Sequence, residues 1–172
     1  MGLQQDIGYD VALPNPVQRA FQLAAVTKAG SWFFQRTLYR VDRPLFNWTD
    51  GKFTLSSFAS GLPVILLTTT GAKSGLPRTM PVAGIPLGDD LVLMGTNLAQ
   101  PNTPAWVLNL EAHPRARIEW QGRSVDVVAR PATPEEREAA WAAATAYYRG
   151  FAAYRKRITE RPVRILVLET AT

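Results

Sequence analysis

The chain contains no cysteine, which removes disulfides, thiolate-held metals and a cysteine nucleophile together. It has one histidine, His113, so a multi-histidine metal cluster is excluded and a Ser-His-Asp triad is disfavoured. His113 stands in Glu-Ala-His-Pro, where a helix meets a proline, and a cap at that helix end is its expected role. No apolar run approaches the roughly 20 residues that a membrane-spanning helix requires. The start, Met-Gly-Leu-Gln-Gln-Asp, lacks the basic and apolar regions of a signal peptide, so the cytoplasm is the expected compartment. No strand pattern is followed by Gly-x-Gly-x-x-Gly, which disfavours a Rossmann dinucleotide fold. Internal repeats and low-complexity tracts are missing too.

What is present describes an ordinary globule. At 172 residues, 47% hydrophobic and 19% charged, the chain can bury one full core. A net charge of +5 and a pI near 9.9 imply anionic partners: nucleic acid, an anionic cofactor or an acidic lipid surface. The basic residues are scattered rather than run together, so no nucleic acid is expected.

The stretch that organises the chain runs from Val64 to Pro81. Val64 to Leu67 is an unbroken apolar run, the pattern of a strand buried on both faces. Thr68, Thr69 and Thr70 continue it, and Gly71 and Gly75 then bracket Lys73 and Ser74. A strand ending in such a turn can aim successive backbone N–H groups into one concavity, a seat for an anion. Lys73 adds a point charge, and Arg78 can grip phosphate oxygens with two donors. Pro77 and Pro81 hold the flanks extended. A nucleoside-triphosphate P-loop is excluded, because Ala72 and Leu67 stand where glycine is required. A plain solvated hairpin turn is the competing reading.

The remaining chain divides as 1–15, 16–50 and 51–172. The first part, ending at Pro14 and Pro16, reads as a flexible arm. Val17 to Leu38 repeats apolar residues at helical spacing, with Gly30 weakening the middle. Its mixture of arginines with Trp32, Phe33, Phe34 and Tyr39 suits a helix covering the domain's own barrel, or one resting on the inner face of a membrane. Arg78 to Leu87 reads as a second strand, and Gly88-Asp89-Asp90 as the turn into Leu91–Met94. Thr103 is a plausible N-cap, with Pro104 at the first position of a helix reaching Ala112. Gln121-Gly122 marks a hairpin between Ala116–Gln121 and Arg123–Pro131. Thr133-Pro-Glu-Glu136 is a capping box opening an alanine-rich helix, and Val163 to Leu168 is the closing strand. About six strands joined mostly as hairpins favour an α+β, mainly antiparallel barrel with helices added.

Three separated motifs resemble the deazaflavin-dependent nitroreductase family: Leu-Leu-Thr-Thr-Thr-Gly-x-Lys-Ser-Gly-x-Pro-Arg, then Pro-x-Trp-x-Leu-Asn-Leu, then a tyrosine-rich helix. The resemblance spans roughly Val64 to Glu169 and implies a split β-barrel, like those that bind FMN, using coenzyme F420 (an 8-hydroxy-5-deazaflavin). It implies that Thr70, Lys73, Ser74, Gly75, Pro77 and Arg78 form the cofactor-phosphate turn. Met80, Thr96, Asn97, Ala105, Trp106 and Asn109 would complete the cofactor contacts. Tyr148, Phe151 and Tyr154 match the substrate side, with Tyr148, Tyr154 and Thr96 as catalytic candidates. The sequence departs from the family at three places. Thr96-Asn97-Leu98-Ala99 stands for a Ser-Lys-Gly-Gly loop, Met80 replaces an amide, and Phe151 replaces a tyrosine that could donate a hydrogen bond. The implied activity is hydride transfer from reduced F420 to an electron-poor apolar acceptor such as a quinone, activated alkene or nitroaromatic. FMN is the alternative cofactor, a basic module for membrane or nucleic acid the non-enzymatic alternative, and a monomer or weak dimer the expected assembly.

Overall fold

The computed structural model describes residues 2–26 and 61–171. Helix α1 (Leu3–Ile7) and helix α2 (Pro16–Val26) precede strand β1 (Val64–Thr70). Strands β2 (Pro77–Ala83), β3 (Ile85–Leu87) and β4 (Asp90–Met94) follow, then a tight turn at Asn97–Ala99 and helix α3 (Ala105–Ala112). The hairpin of β5 (Arg115–Trp120) and β6 (Arg123–Pro131) leads to α4 (Pro134–Tyr147), α5 (Gly150–Arg157) and β7 (Ile165–Thr170). The strands form one antiparallel sheet in the order β2-β1-β5-β6-β7-β4-β3, the curled half-barrel of the expected α+β class.

Alternation along the strands builds two cores. Leu91, Leu93, Ile118, Val127, Leu166 and Leu168 face inward with Ile65 and Leu67, closed by Trp106, Val107 and Leu110 of α3. Val92, Met94, Ile165 and Val167 face the other way, under Ala140, Trp141 and Ala144 of α4 and Phe151 of α5. β1 belongs to the first core alone: Ile65, Leu67 and Thr69 are buried while Leu66, Thr68 and Thr70 are half-exposed. That corrects the expectation of burial on both faces, because a strand with helix cover on one side only must alternate.

Other expectations shift in detail. The second strand is broken at Gly84 into β2 and β3, where Gly84 N–H bonds Pro63 O at 3.0 Å and a Cβ would meet the Tyr9 hydroxyl at 3.0 Å. The described residues therefore give seven strands rather than six. The closing strand starts two residues late, at Ile165. Pro104, not Thr103, occupies the α3 N-cap, while His113 caps its C-terminus as expected. The capping box of α4 forms in full, with Thr133 and Glu136 bonding each other's backbone N–H groups.

The N-terminal arm is not loose. Leu3 and Ile7 are each 1% exposed, and Gln4 donates to the carbonyls of Gly88 and Asp90 at 2.8 and 2.7 Å. Gly8 (φ 65°) ends α1 in a Schellman turn, with Gly8 N–H on Gln5 O and Tyr9 N–H on Gln4 O. α2 forms the described part of the expected N-terminal helix, and Gln22 donates to Tyr147 O at 2.7 Å. Its continuation to Leu38, with Gly30, Trp32, Phe33, Phe34 and Tyr39, lies outside the described residues.

Register decides what gathers at the site. Thr70 pairs with Pro77, Arg115 with Val128, Pro131 with Leu166, and Met94 with Ile165. The glycine turn, the loop after β4 and the segment before β7 therefore emerge at one end of the sheet.

Candidate functional site

The β1–β2 turn is tightly built. Gly71 N–H bonds Leu76 O at 2.9 Å, and Gly75 N–H bonds Gly71 O at 2.8 Å. Gly75 holds φ at 65°, a left-handed conformation that glycine adopts without penalty. A Cβ placed on Gly71 would lie 2.6 Å from Ser74 Oγ and 3.7 Å from Arg78 Cγ. The Ser74 hydroxyl thus sits against Gly71, and a side chain there would have to turn that hydroxyl away. Lys73, Ser74 and Arg78 are exposed, and no ion pair engages Lys73 or Arg78 among the described residues. Both cations are available to an anion. Thr70 and Pro77 line an open cleft beside the turn, of about 290 Å³, whose far wall carries the Arg117–Asp126 pair (2.8 Å).

Asn109, an expected cofactor contact, is hydrogen-bonded within the protein. Its Nδ2 donates to Thr69 Oγ1 at 3.0 Å, and its Oδ1 accepts from Ala72 N–H at 2.9 Å. The side chain is buried and both ends of the amide are engaged, so it braces the turn from beneath. This bond pair is the physical link between the first two sequence motifs. Trp106, 6% exposed, packs in the first core, with Ala105 exposed beside it at the start of α3. Met80 is half-buried against that core.

The loop after β4 supplies Thr96 and Asn97. Thr96 is buried; Asn97 turns its side chain onto its own loop, donating to Asn102 O at 2.9 Å. Asn97, Leu98 and Ala99 have φ of 49°, 52° and 62°. Arg161, which sequence reasoning missed, donates to carbonyls of this loop. A lone arginine between a helix and a strand carries no motif, and only the fold brings it here.

α5 packs against the same turn and gathers the third group. Ring centroids of Tyr148, Phe151 and Tyr154 lie 5.8–6.2 Å apart, so the glycine interruption brings Tyr148 and Tyr154 onto one side. A Cβ on Gly150 would fall 2.1 Å from the Tyr148 ring; the ring lies directly on that glycine. Burial, with smaller contributions from the Tyr148 hydroxyl, raises the Tyr154 pKa, which keeps Tyr154 a neutral donor. Phe151 is buried beneath the pair. Tyr147 points away, its hydroxyl donating to Val11 O at 3.2 Å.

No group of acidic or histidine side chains suited to a metal occurs among the described residues. The arrangement offers an anion seat, a buried hydroxyl at Thr96 and an aromatic wall, and it lacks an activated nucleophile.

Comparison with known proteins identifies the family. The F420H(2)-dependent quinone reductase family matches residues 38–170. An F420H(2)-dependent quinone reductase of Mycobacterium tuberculosis is 29% identical over 99 residues, covering 58% of this chain and 66% of that protein. Among solved structures, an F420-H2 dependent reductase, FDR-A, is 30% identical with a TM-score of 0.57, covering 62% of this chain and 94% of that one. A domain-swapped dimer is 28% identical with a TM-score of 0.59, covering 83% and 100%. With the family match extending over most of the sequence and the fold shared with FDR-A, the chain belongs to the F420H(2)-dependent quinone reductase family.

Proposed function

We propose that the protein is an oxidoreductase that passes a hydride from reduced coenzyme F420 to an electron-poor apolar acceptor, with quinones the first class to test. The observation that carries this reading is the Asn109-braced glycine turn, whose two cations, without an ion pair among the described residues, suit the phosphate of a deazaflavin, in a chain of this family. The bound cofactor supplies the hydride, which accounts for a site with little acid–base machinery. The protein's share is positioning and exclusion of water. Lys73 and Arg78 hold the phosphate end, with Ser74 adding a hydroxyl. Trp106 is core packing that fixes α3. Thr96 offers its hydroxyl toward the cofactor, and Tyr148 and Tyr154 present donors beside the acceptor, with Phe151 as an apolar floor.

The protein acts in the cytoplasm on a small-molecule acceptor. No described helix is long and apolar enough to cross a membrane. A monomer or weak dimer is proposed, and sedimentation distinguishes these from a stable exchange of segments such as the domain-swapped neighbour shows.

Titration of the purified protein with F420 should quench the cofactor's fluorescence at micromolar concentration. Lys73→Ala with Arg78→Ala should weaken that affinity by more than about 2 kcal/mol, the scale of lost charge-assisted bonds. Unchanged affinity in the double variant would place the phosphate elsewhere, and absorbance at flavin wavelengths in the purified protein would favour FMN.

A further inference from the structure

We propose that Arg161 is the positioning residue that holds the Thr96–Ala99 turn in the shape the cofactor pocket requires, an inference that rests on the functional reading above. Asn97, Leu98 and Ala99 form three successive left-handed residues, with φ of 49°, 52° and 62°. None is glycine. Side chains disfavour this conformation, and outside glycine it occurs as single residues rather than runs. The turn's own bonds are few: Thr96 N–H to Met94 O at 2.8 Å, Ala99 N–H to Thr96 O at 3.0 Å, Gln100 N–H to Asn97 O at 2.9 Å, and the Asn97 side chain to Asn102 O at 2.9 Å. Something outside the turn has to hold it.

Arg161 does so from both sides. Its Nη1 donates to Gly95 O at 3.0 Å, and its Nη2 to Thr96 O at 3.1 Å and Gln100 O at 3.2 Å. Nε adds a longer bond to Gln100 O at 3.4 Å. The planar fork therefore spans the turn from the residue before it to the residue after, which a lysine ammonium cannot reproduce. No carboxylate pairs with Arg161 among the described residues, so its donors are committed to this backbone. The base of the loop is fixed separately, by Gly95 N–H on Arg164 O at 2.8 Å.

The consequence lies on the opposite side of the turn. With the carbonyls of 95, 96 and 100 drawn to Arg161, the N–H groups of Asn97 and Leu98 make no hydrogen bond among the described residues. Thr96 is right-handed (φ −73°, ψ −27°) and Asn97 left-handed, the backbone order that aims successive N–H groups into a concavity. Arg161 thereby sorts the polar backbone, drawing the acceptors to itself and leaving the donors of Asn97 and Leu98 unbonded among the described residues, while α5 packs against the same turn.

The test compares wild type, Arg161→Ala, Arg161→Lys, and Arg161→Ala combined with Leu98→Gly and Ala99→Gly. Hydrogen exchange of the bonded amides of Thr96, Ala99 and Gln100, read without ligand, reports the turn; F420 fluorescence titration reports the pocket. Arg161→Ala should speed exchange of those amides at least tenfold with β4 and β7 unchanged, and raise the F420 Kd at least tenfold. Lysine should recover little, and free guanidinium ion at tens of millimolar should recover part of both signals. The glycine pair should restore cofactor affinity, since glycine accepts the left-handed shape unaided. Should Arg161→Ala fail to fold, Arg161→Lys carries the same two readouts. Exchange and affinity within twofold of wild type overturn the inference. Loss of affinity that neither guanidinium nor the glycine pair repairs also overturns it, since that outcome is general destabilisation. Absence of F420 binding to wild type, with the exchange difference intact, removes the functional reading and leaves the hold on the turn standing.

Discussion

Asn109 shows what a single amide can decide. A glycine turn carrying two exposed cations would otherwise sample many shapes, and a disordered turn gains little from its charges because ordering opposes binding. Asn109 removes that freedom by bonding Thr69 Oγ1 and Ala72 N–H. Asn109→Ala leaves a partly buried amide donor at position 72 and a buried threonine hydroxyl less fully bonded, a cost of about 1–2 kcal/mol. F420 affinity should fall roughly tenfold or more, through the turn and not through a lost contact. Asn109→Asp keeps an acceptor for Ala72 and loses the donor to Thr69, so it should fall between wild type and alanine in both thermal unfolding and titration. Wild-type affinity in the alanine variant would show that the turn holds itself. The motif containing Asn109 was legible in the sequence, and so were Lys73, Ser74 and Arg78. Whether the amide faced ligand or backbone was not, because that depends on how α3 docks beneath β1, a contact 37–40 residues apart.

At the scale of elements, two helix starts set the helices that cover the second core. The sequence announced the first, since Thr133 and Glu136 sit at capping-box spacing. It did not announce that Arg130 of β6 would reach both Glu136 oxygens at 2.7 Å and Glu169 at 2.6 Å. Arg130, and after it the Thr133 N–H, holds the Glu136 carboxyl down at about 2, from an ordinary 4.5. A depressed carboxylate stabilises the fold above its ordinary pKa and loses that contribution as pH falls through the folded value. Wild type should therefore lose stability relative to Glu136→Gln between pH about 4.5 and 2. Thermal unfolding of both across that window checks it, and parallel curves would show that the carboxylate is not engaged. The second start is Gly150. Alanine there puts a Cβ 2.1 Å from the Tyr148 ring, so the ring must swing off and its pairing with Tyr154 break. The acceptor KM should rise several-fold while the F420 Kd stays within twofold. The tyrosines' spacing of six was visible in the sequence; their convergence was not, since it needs the break at extended Tyr148 (φ −146°, ψ 111°) between α4 and α5 and the room that Gly150 leaves for the Tyr148 ring.

Across the whole molecule, the hairpins followed from turn signals and alternation, while the sheet order, with β1 beside β5 and β7 beside β4, did not; the seventh strand was hidden because Gly84 divides one run. The N-terminal segment is the larger lesson. Its polar composition suggested a free arm, yet Leu3 and Ile7 stand one helical turn apart, and Gly8 follows as a helix-ending glycine, a short signal that composition overrides. The packed α1 spans distant strands: Gln4 bonds the β3–β4 turn, and Asp6 accepts from Thr170 of β7 at 2.7 Å. Tyr9 donates to Gly84 O at 2.6 Å and packs on Trp120, ring centroids 4.8 Å apart. Burial raises the Tyr9 pKa, with Tyr147 a lesser cause, so its hydroxyl stays a donor throughout the working pH range. Each of Leu3 and Ile7, fully buried, stabilises by about 1.5–3 kcal/mol. Deleting residues 2–9 removes both, together with the Tyr9 bond. In a chain of this size each kcal/mol shifts Tm by roughly 2–4 °C. The truncated protein should therefore melt at least about 6 °C below the full chain. Leu3→Ala with Ile7→Ala should reproduce most of that shift, because burial rather than chain length is its source. Equal melting temperatures in truncated and full-length protein would mean that the segment only lies on the sheet. Cofactor titration on the same samples separates the effects: Lys73 and Arg78 lie at the β1–β2 turn end of the sheet, opposite the β3–β4 turn and Thr170 that α1 binds, so affinity should survive wherever the fold does.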